Sequence, residues 1–386
     1  INPDAGGQAA VAKACSEELG VDITTQVLPQ AAGEQRIQLA RRLAAEDSAI
    51  DLMSIDPPYT AEFANAGYLA ELPEDMQQRL RDQAFEGAAA AATWEDQLVV
   101  APFWSNTQVL WYRKSVAQEA GLDMTQPVTW DQIIEAASTT GKKVAVQSNK
   151  YEGYAVWINA LVAGAGGEIA ENTEKGADAT ITVDSEAGHE AARVIEELAH
   201  SEAAPADLSV AQEGQAGATF GSDVGGFMVN WTYIWTNYDD SQPEVKDDLG
   251  FARYPRTVDG EDSRPPYGGI GIGVSAFSDH KEQAIEALEC LTSPESQGVN
   301  ADLTGNMPSS PAGYDYPALK ETYPQELLDL FQESLEAAAP RTVSPYWSDI
   351  SGALQSRFHP PSSVDDDTPD KAKKFITDVL HQKDLL

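Results

Sequence analysis

Apolar and polar positions change rhythm repeatedly along this chain, and each change marks an element. Val11, Ala14, Cys15 and Leu19 share one face of a predicted helix that Gly20 closes. Val21 to Leu28 alternates with period two, the rhythm of a half-buried strand. Ile37, Leu39, Ala40 and Leu43 return to helical spacing across Gly33 to Ala45, with basic residues in the later turns. Ile50 to Ile55 is then a short apolar run of strand length, stopped at Asp56-Pro57-Pro58, where two prolines forbid further ladder bonds. A new helical pattern opens at Thr60. Such β-α alternation with short connections predicts an α/β fold and a largely parallel sheet covered on both faces.

The later chain is less regular. Leu98 to Trp104 and Val109 to Tyr112 read as two strands, separated by the polar cluster Ser105-Asn106-Thr107-Gln108. A helix over 129–138 starts at Thr129, with Asp131 and Gln132 in capping-box positions. Aromatic-rich helix is predicted over 151–169 and another helix over 185–200. Phe227 to Trp235 resumes as strand and then turns into aromatic helix or loop. After a Pro-bearing connector at 253–266, Tyr267 to Ser275 again has strand rhythm, and helices follow at 279–291 and from Pro294. The C-terminal part is helical, broken at 340–347 and 359–370. No internal repeat and no low-complexity linker is present.

At 386 residues the chain has room for about two domains. Its formal net charge of −37 argues against nucleic acid or an anionic membrane as a partner. The charge suits a secreted protein or a salty habitat, and no run approaches the length of a membrane span. The start at Ile1 rather than Met predicts a processed N-terminus. Nucleophile-elbow, Walker and H-E-x-x-H motifs are absent, and the five histidines take no metal spacing. Neither cofactor nor metal is therefore expected. Gly269, Gly271 and Gly273 follow a strand rhythm rather than G-x-G-x-x-G, and read as small residues where a helix or ligand comes close. Cys15 and Cys290 leave two options, a single disulfide or two buried thiols.

Two features point to a ligand. Asp56 stands at the carboxyl end of a strand, just before a helix, where open α/β sheets hold their ligands; a role in capping the turn is the equal alternative. Trp104, Trp157, Trp231, Tyr233, Trp235, Tyr346 and Trp347 are mixed with Asn and Asp. Aromatic faces match the C–H faces of sugar rings, and Asn, Asp, Gln and Arg match their hydroxyls, although each aromatic singly reads as core. The abundant carboxylates keep open an alternative, a glycoside hydrolase using a carboxylate pair.

Six stretches carry a resemblance in order: IDLMSIDPPYTAEFANAGYLAEL, APFWSNTQVLWYRK, FMVNWTYIW, YGGIGIGVS, LTSPESQG and RTVSPYW. Together they resemble the solute-binding proteins of ABC-type sugar importers, in the maltose/trehalose-binding group, over almost the whole chain. Within that group they are most similar to the trehalose-recycling binding lipoproteins of mycobacteria. The resemblance implies a two-lobed periplasmic-binding-protein fold of type II with the ligand in the interlobe cleft. It puts the N-terminal lobe at 1–109 plus 257–312 and the C-terminal lobe at 110–256 plus 313–386. It implies a non-enzymatic monomer that closes by a hinge on a disaccharide, trehalose foremost, and delivers it to permease subunits. A first strand and a lipid anchor ahead of Asn2-Pro3 are implied too, which places the protein outside the cytoplasm at the cell envelope.

Carried over position by position, Asp56 accepts sugar hydroxyls, Asn106 donates and accepts, Trp231 and Tyr233 supply a stacking face, Gly269 offers backbone, and Arg341 donates a planar fork. Asp4, Gln35 and Glu152 complete the implied ligand set. Ile270 departs from the aromatic often found after that glycine in relatives, which removes one stacking contact. With Cys15 and Cys290 on helices of one implied lobe in an oxidising compartment, a disulfide between them is expected.

Overall fold

The computed structural model describes residues 1–238 and 242–386. The chain packs as two compact units. Unit 1 comprises Ile1–Asn106, Tyr267–Asp329 and Val343–Trp347; unit 2 comprises Thr107–Pro266, Leu330–Thr342 and Ser348–Leu386. Residues 313–329 and 343–347, which the sequence reading put in the second lobe, pack in unit 1. The reason is visible at Tyr314, whose buried ring lies edge-on to Phe85 with centroids 5.9 Å apart.

Six strands build the main ladders: β1 (Leu52–Ile55), β2 (Ala101–Arg113), β3 (Lys143–Ala145), β4 (Gly225–Trp231), β5 (Leu249–Ala252) and β6 (Tyr267–Val274). In unit 1, β6 lies between β1 and β2. β1 and β6 run antiparallel, with Leu52 opposite Val274 and Ile55 opposite Gly271. In unit 2, β2 pairs antiparallel with both β4 and β5, while β3 runs parallel to β4. The expected largely parallel sheet is thus corrected. β2 and β6 enter their units from connecting segments rather than through β-α-β crossovers, so nothing obliges them to run parallel to their neighbours.

Two strand expectations also change. Of the predicted strands, Ala101–Trp104 and Val109–Tyr112 are joined in one 13-residue strand, β2, which runs through the polar cluster without a break, while Leu98 pairs in a separate short hairpin with Thr93. Its polar side chains are buried, and most have partners there: Ser105 Oγ lies 2.9 Å from Tyr267 Oη, and Gln108 Nε2 donates to Gln147 Oε1 at 3.2 Å. A polar stretch can stay in a strand when its groups are satisfied inside the sheet. Val21–Leu28, by contrast, forms no ladder. Between it and β1 lies a cavity of about 510 Å³, lined by Val21, Ile23, Leu28, Leu39, Met53 and Ala287 among others. A strand needs a partner about 4.8 Å away, and what reaches this segment instead is scattered: Ile1 accepts from Leu28 N and donates to Gln26 O, Ser16 Oγ bonds to Val21 O and Ile23 N, and Arg42 donates to Gln26 Oε1.

Local signals elsewhere hold. Thr129 caps the helix Trp130–Thr139 in a full capping box, its Oγ1 accepting from Gln132 N while Gln132 Oε1 accepts from Thr129 N. Gly269 marks a close approach, though of the neighbouring strand rather than of a helix: it has φ +140°, and a Cβ there would collide with the Trp104 carbonyl. Cys15, on the helix Gly7–Leu19, is bonded to Cys290 on the helix Lys281–Leu291, tying the two helices inside unit 1. The core of unit 1 gathers Leu43, Met53, Ile55, Phe63, Phe103 and Leu288. That of unit 2 forms around the helix Glu152–Gly164, buried along nearly its whole length, with the Trp130 and Trp157 rings 5.5 Å apart.

Candidate functional site

In unit 2 the sequence candidates converge. The helix Glu152–Gly164 begins directly after Tyr151, so Glu152 occupies its first turn, where a carboxylate is favoured by the backbone dipole. Pro340 and the segment after it carry Arg341 to this helix start, and Arg341 Nη1 donates to Glu152 Oε1 at 2.8 Å. Both side chains are almost fully buried, 5 % and 8 % exposed respectively. The second carboxylate oxygen accepts from Ser351 Oγ at 2.6 Å, and Ser351 Oγ in turn accepts from Gln355 Nε2 at 2.8 Å. Ser351 and Gln355 lie one turn apart on the helix Trp347–Phe358.

Trp231 ends β4, and its half-buried ring follows Asn230, whose side chain is a hub. Asn230 Oδ1 accepts from Gln147 Nε2 at 3.1 Å and from Trp231 N at 2.9 Å; its Nδ2 donates to the Glu213 carbonyl at 3.2 Å. Tyr233, two residues on, has its hydroxyl pKa pushed well up, first by burial and then by the Glu213 carboxylate. Tyr151 is raised for the same two reasons, with Tyr233 a further contributor. Tyr151, the chain neighbour of Glu152, thus feels both Glu213 and Tyr233. Both phenols therefore stay protonated and able to donate. Tyr151, Glu213, Asn230, Ser351 and Gln355 were not singled out from the sequence. Only the adjacency of Tyr151 to Glu152 and of Asn230 to Trp231 could have flagged any of them.

In unit 1, Asp56 and Gly269 share one end of the β1–β6 pair, while Asp4, Gln35 and Asn106 are engaged in building the unit. Asp56 follows β1, and the pairing of Ile55 with Gly271 sets it close to Gly269 on β6. Asp56 begins the turn Pro57–Tyr59 without capping it through its side chain. Asn106 Nδ2 donates to Asn306 Oδ1 at 2.8 Å, and its Oδ1 accepts from Met307 N at 3.3 Å. Asp4 accepts from Gly6 N at 2.7 Å and Gln8 N at 3.2 Å, closing the first turn of the helix Gly7–Leu19. Gln8 then accepts from Ser54 of β1 at 2.7 Å. Gln35 Nε2 donates to the Pro29 carbonyl at 2.9 Å and holds the entry to the helix Ala32–Ala44.

Among the aromatics, Trp157 and Trp347 are core residues, and Trp104 is buried on β2. Trp231, Tyr233 and Trp235 are part-exposed. Among the described residues no group of three or more His, Cys, Asp or Glu side chains is arranged to hold a metal ion.

Comparison with known proteins places this geometry in context. The family described as bacterial extracellular solute-binding protein matches residues 2–298. Maltose-bound MalE3 of T. maritima aligns over 97 % of this chain and 97 % of its own, with 22 % identity and a TM-score of 0.86. The GacH receptor of Streptomyces glaucescens, studied unliganded and with acarbose, aligns over 98 % and 95 % at 21 % identity and a TM-score of 0.81. A ribitol complex of an ABC transporter solute-binding protein from Agrobacterium radiobacter aligns over 97 % and 96 % at 19 % identity and 0.79. These likenesses establish a mixed α/β, two-lobed periplasmic-binding fold of the maltose-binding kind.

Proposed function

The chain belongs to the bacterial extracellular solute-binding proteins, and from that premise we propose that it captures a neutral disaccharide for an ABC-type importer, trehalose before other sugars. It is a binding protein and not an enzyme, which sets aside the glycoside hydrolase. The observation that carries the sugar reading is the locus in unit 2. A buried Arg341–Glu152 pair, two protonated phenols and the Trp231 ring offer hydrogen-bond donors and a stacking face without a net positive cage. Solved proteins of the same fold hold maltose in one case and ribitol in another, both uncharged. Trehalose is favoured on the resemblance of the six sequence stretches.

In this reading Asp56, Asn106 and Gly269 of unit 1 add contacts to the same sugar, with Asp4 and Gln35 at the margin. Binding is then coupled to hinge closure, because only the closed form gives the ligand its full contact set. The protein acts as a monomer and hands its ligand to membrane permease subunits, anchored by a lipid at the cell envelope. No described helix is long and apolar enough to cross a membrane.

Calorimetric titration with trehalose, maltose, sucrose and cellobiose tests the ligand, and small-angle scattering with the sugar that binds tests closure. Saturable one-to-one heat, strongest for trehalose, with a fall in radius of gyration supports the proposal. Heat for none of the four refutes it.

A further inference from the structure

Glu152 has an assignment that a simple ligand-contact role does not explain. Each of its carboxylate oxygens is engaged by this chain: Oε1 by Arg341 Nη1 at 2.8 Å and Oε2 by Ser351 Oγ at 2.6 Å. The serine proton points to the carboxylate, so the serine oxygen accepts, and Gln355 Nε2 fills that place at 2.8 Å. The chain of donors is directional, Gln355 to Ser351 to Glu152, and it ends on an acceptor oxygen. Burial of all but a few per cent of the Arg341 and Glu152 surfaces makes the local charge balance matter more than it would in water.

A guanidinium cannot be deprotonated, and a buried one without a counter-ion attracts any carboxylate or phosphate with matched geometry. Beside Glu152 its charge sums locally to zero, and it becomes a directed donor for hydroxyls. We propose that Glu152 is the residue that makes this site select neutral over anionic sugars, and that Ser351 and Gln355 are positioning residues that hold its carboxylate against Arg341. An anionic sugar bringing its charge to Arg341 meets the Glu152 carboxylate at the same guanidinium, and like charges at close range are a strong discriminator. The proposal deepens the sugar-binding reading and rests on it.

The test titrates trehalose and maltose, each beside its C6 uronate and its 6-phosphate, and reads the ratio of neutral to anionic affinity. Glu152→Gln keeps the shape and the bond from Ser351 but removes the charge. It is expected to shift the ratio at least about tenfold toward one or both anions. Arg341→Gln leaves Glu152 and is expected to shift the ratio the other way, which keeps the test decisive should Glu152→Gln fail to fold. Ser351→Ala, which releases one carboxylate oxygen of Glu152, is expected to shift the ratio in the same direction as Glu152→Gln but by a smaller factor, and Ser351→Thr to restore it. The double variant Glu152→Gln with Arg341→Gln returns the ratio toward that of the parent. A folded Glu152→Gln with an unchanged ratio for every analogue, or an Arg341→Gln whose ratio moves toward the anions, overturns the proposal while leaving sugar binding intact. A parent protein that binds neither neutral sugar removes the underlying reading instead.

Discussion

The candidate residues of the two units are alike in type and unlike in employment. In unit 1, Asp4, Gln35 and Asn106 are tied into the scaffold: a helix cap, a loop anchor and a link from β2 to the 306–307 turn. In unit 2, Glu152 and Arg341 hold each other, supported by Ser351 and Gln355, and Tyr151 immediately precedes the same helix start. A polar side chain at the end of a strand can serve either end. What distinguishes the two is what its bonds fix: a helix start at Asp4, a loop at Gln35 and a turn at Asn106, against a buried cation at Glu152. The first kinds order a unit; in the proposed function the last prepares Arg341 for a ligand.

This contrast is sharpest where a single substitution strikes both jobs. Arg341→Ala leaves the buried Glu152 carboxylate without its cation, at a cost of about 3–5 kcal/mol in unit 2. It is expected to lower Tm and to abolish measurable sugar binding in the same titration; normal affinity in this variant would break the comparison. Next comes the bridge in unit 1. Replacing Cys15 and Cys290 together by serine should destabilise that unit by about 2–5 kcal/mol, since the link closes a long loop. Denaturant unfolding is expected to show the loss, and sugar affinity measured well below the new midpoint should stay at the parent value.

Smaller effects sharpen the line within unit 1. Asp56→Ala is expected to reduce affinity by about 1–3 kcal/mol, the cost of an enclosed hydroxyl losing its acceptor, with little change in Tm. Asp4→Ala should show the reverse emphasis, about 1 kcal/mol of stability from the lost cap, most of it recovered in Asp4→Asn. If Asp4→Asn recovers stability but not affinity, Asp4 belongs with the ligand contacts. The smallest effect concerns acid. The Arg42 side chain, 2.6 Å from Asp47, holds that carboxyl below the ordinary value of 3.8. Its contribution is therefore complete above that value and is lost as pH falls through the lower folded-state pKa. A shallow fall in Tm below about pH 4 should be slightly reduced in Asp47→Asn.

The sequence was most informative where one residue decides the backbone. The capping box at Thr129, the proline stop after Asp56 and the glycine at 269 each leave few alternatives, and the structure places them as the local pattern requires. It was least informative about partners. The alternation of Val21–Leu28 was real, but a strand also needs a neighbour, and across from this one is a cavity. The polar run 105–108 looked like an interruption because its buried partners, among them Gln147, Asn306 and Tyr267, lie far away in the chain. The same distance hid Ser351 and Gln355. Nothing local to either residue announces that it supports a carboxylate 199 residues away in the case of Ser351. Glu152 and Arg341 were legible as polar candidates; that they face one another was not.

The central claim is that this chain binds a neutral sugar through the unit 2 locus. The most direct measurement is calorimetric titration of the parent protein and of Arg341→Ala with trehalose, at matched concentration and with folding of both checked by circular dichroism. The account predicts saturable one-to-one binding in the parent and no measurable heat in the folded variant. Equal heats in the two proteins, or none in either, would contradict it.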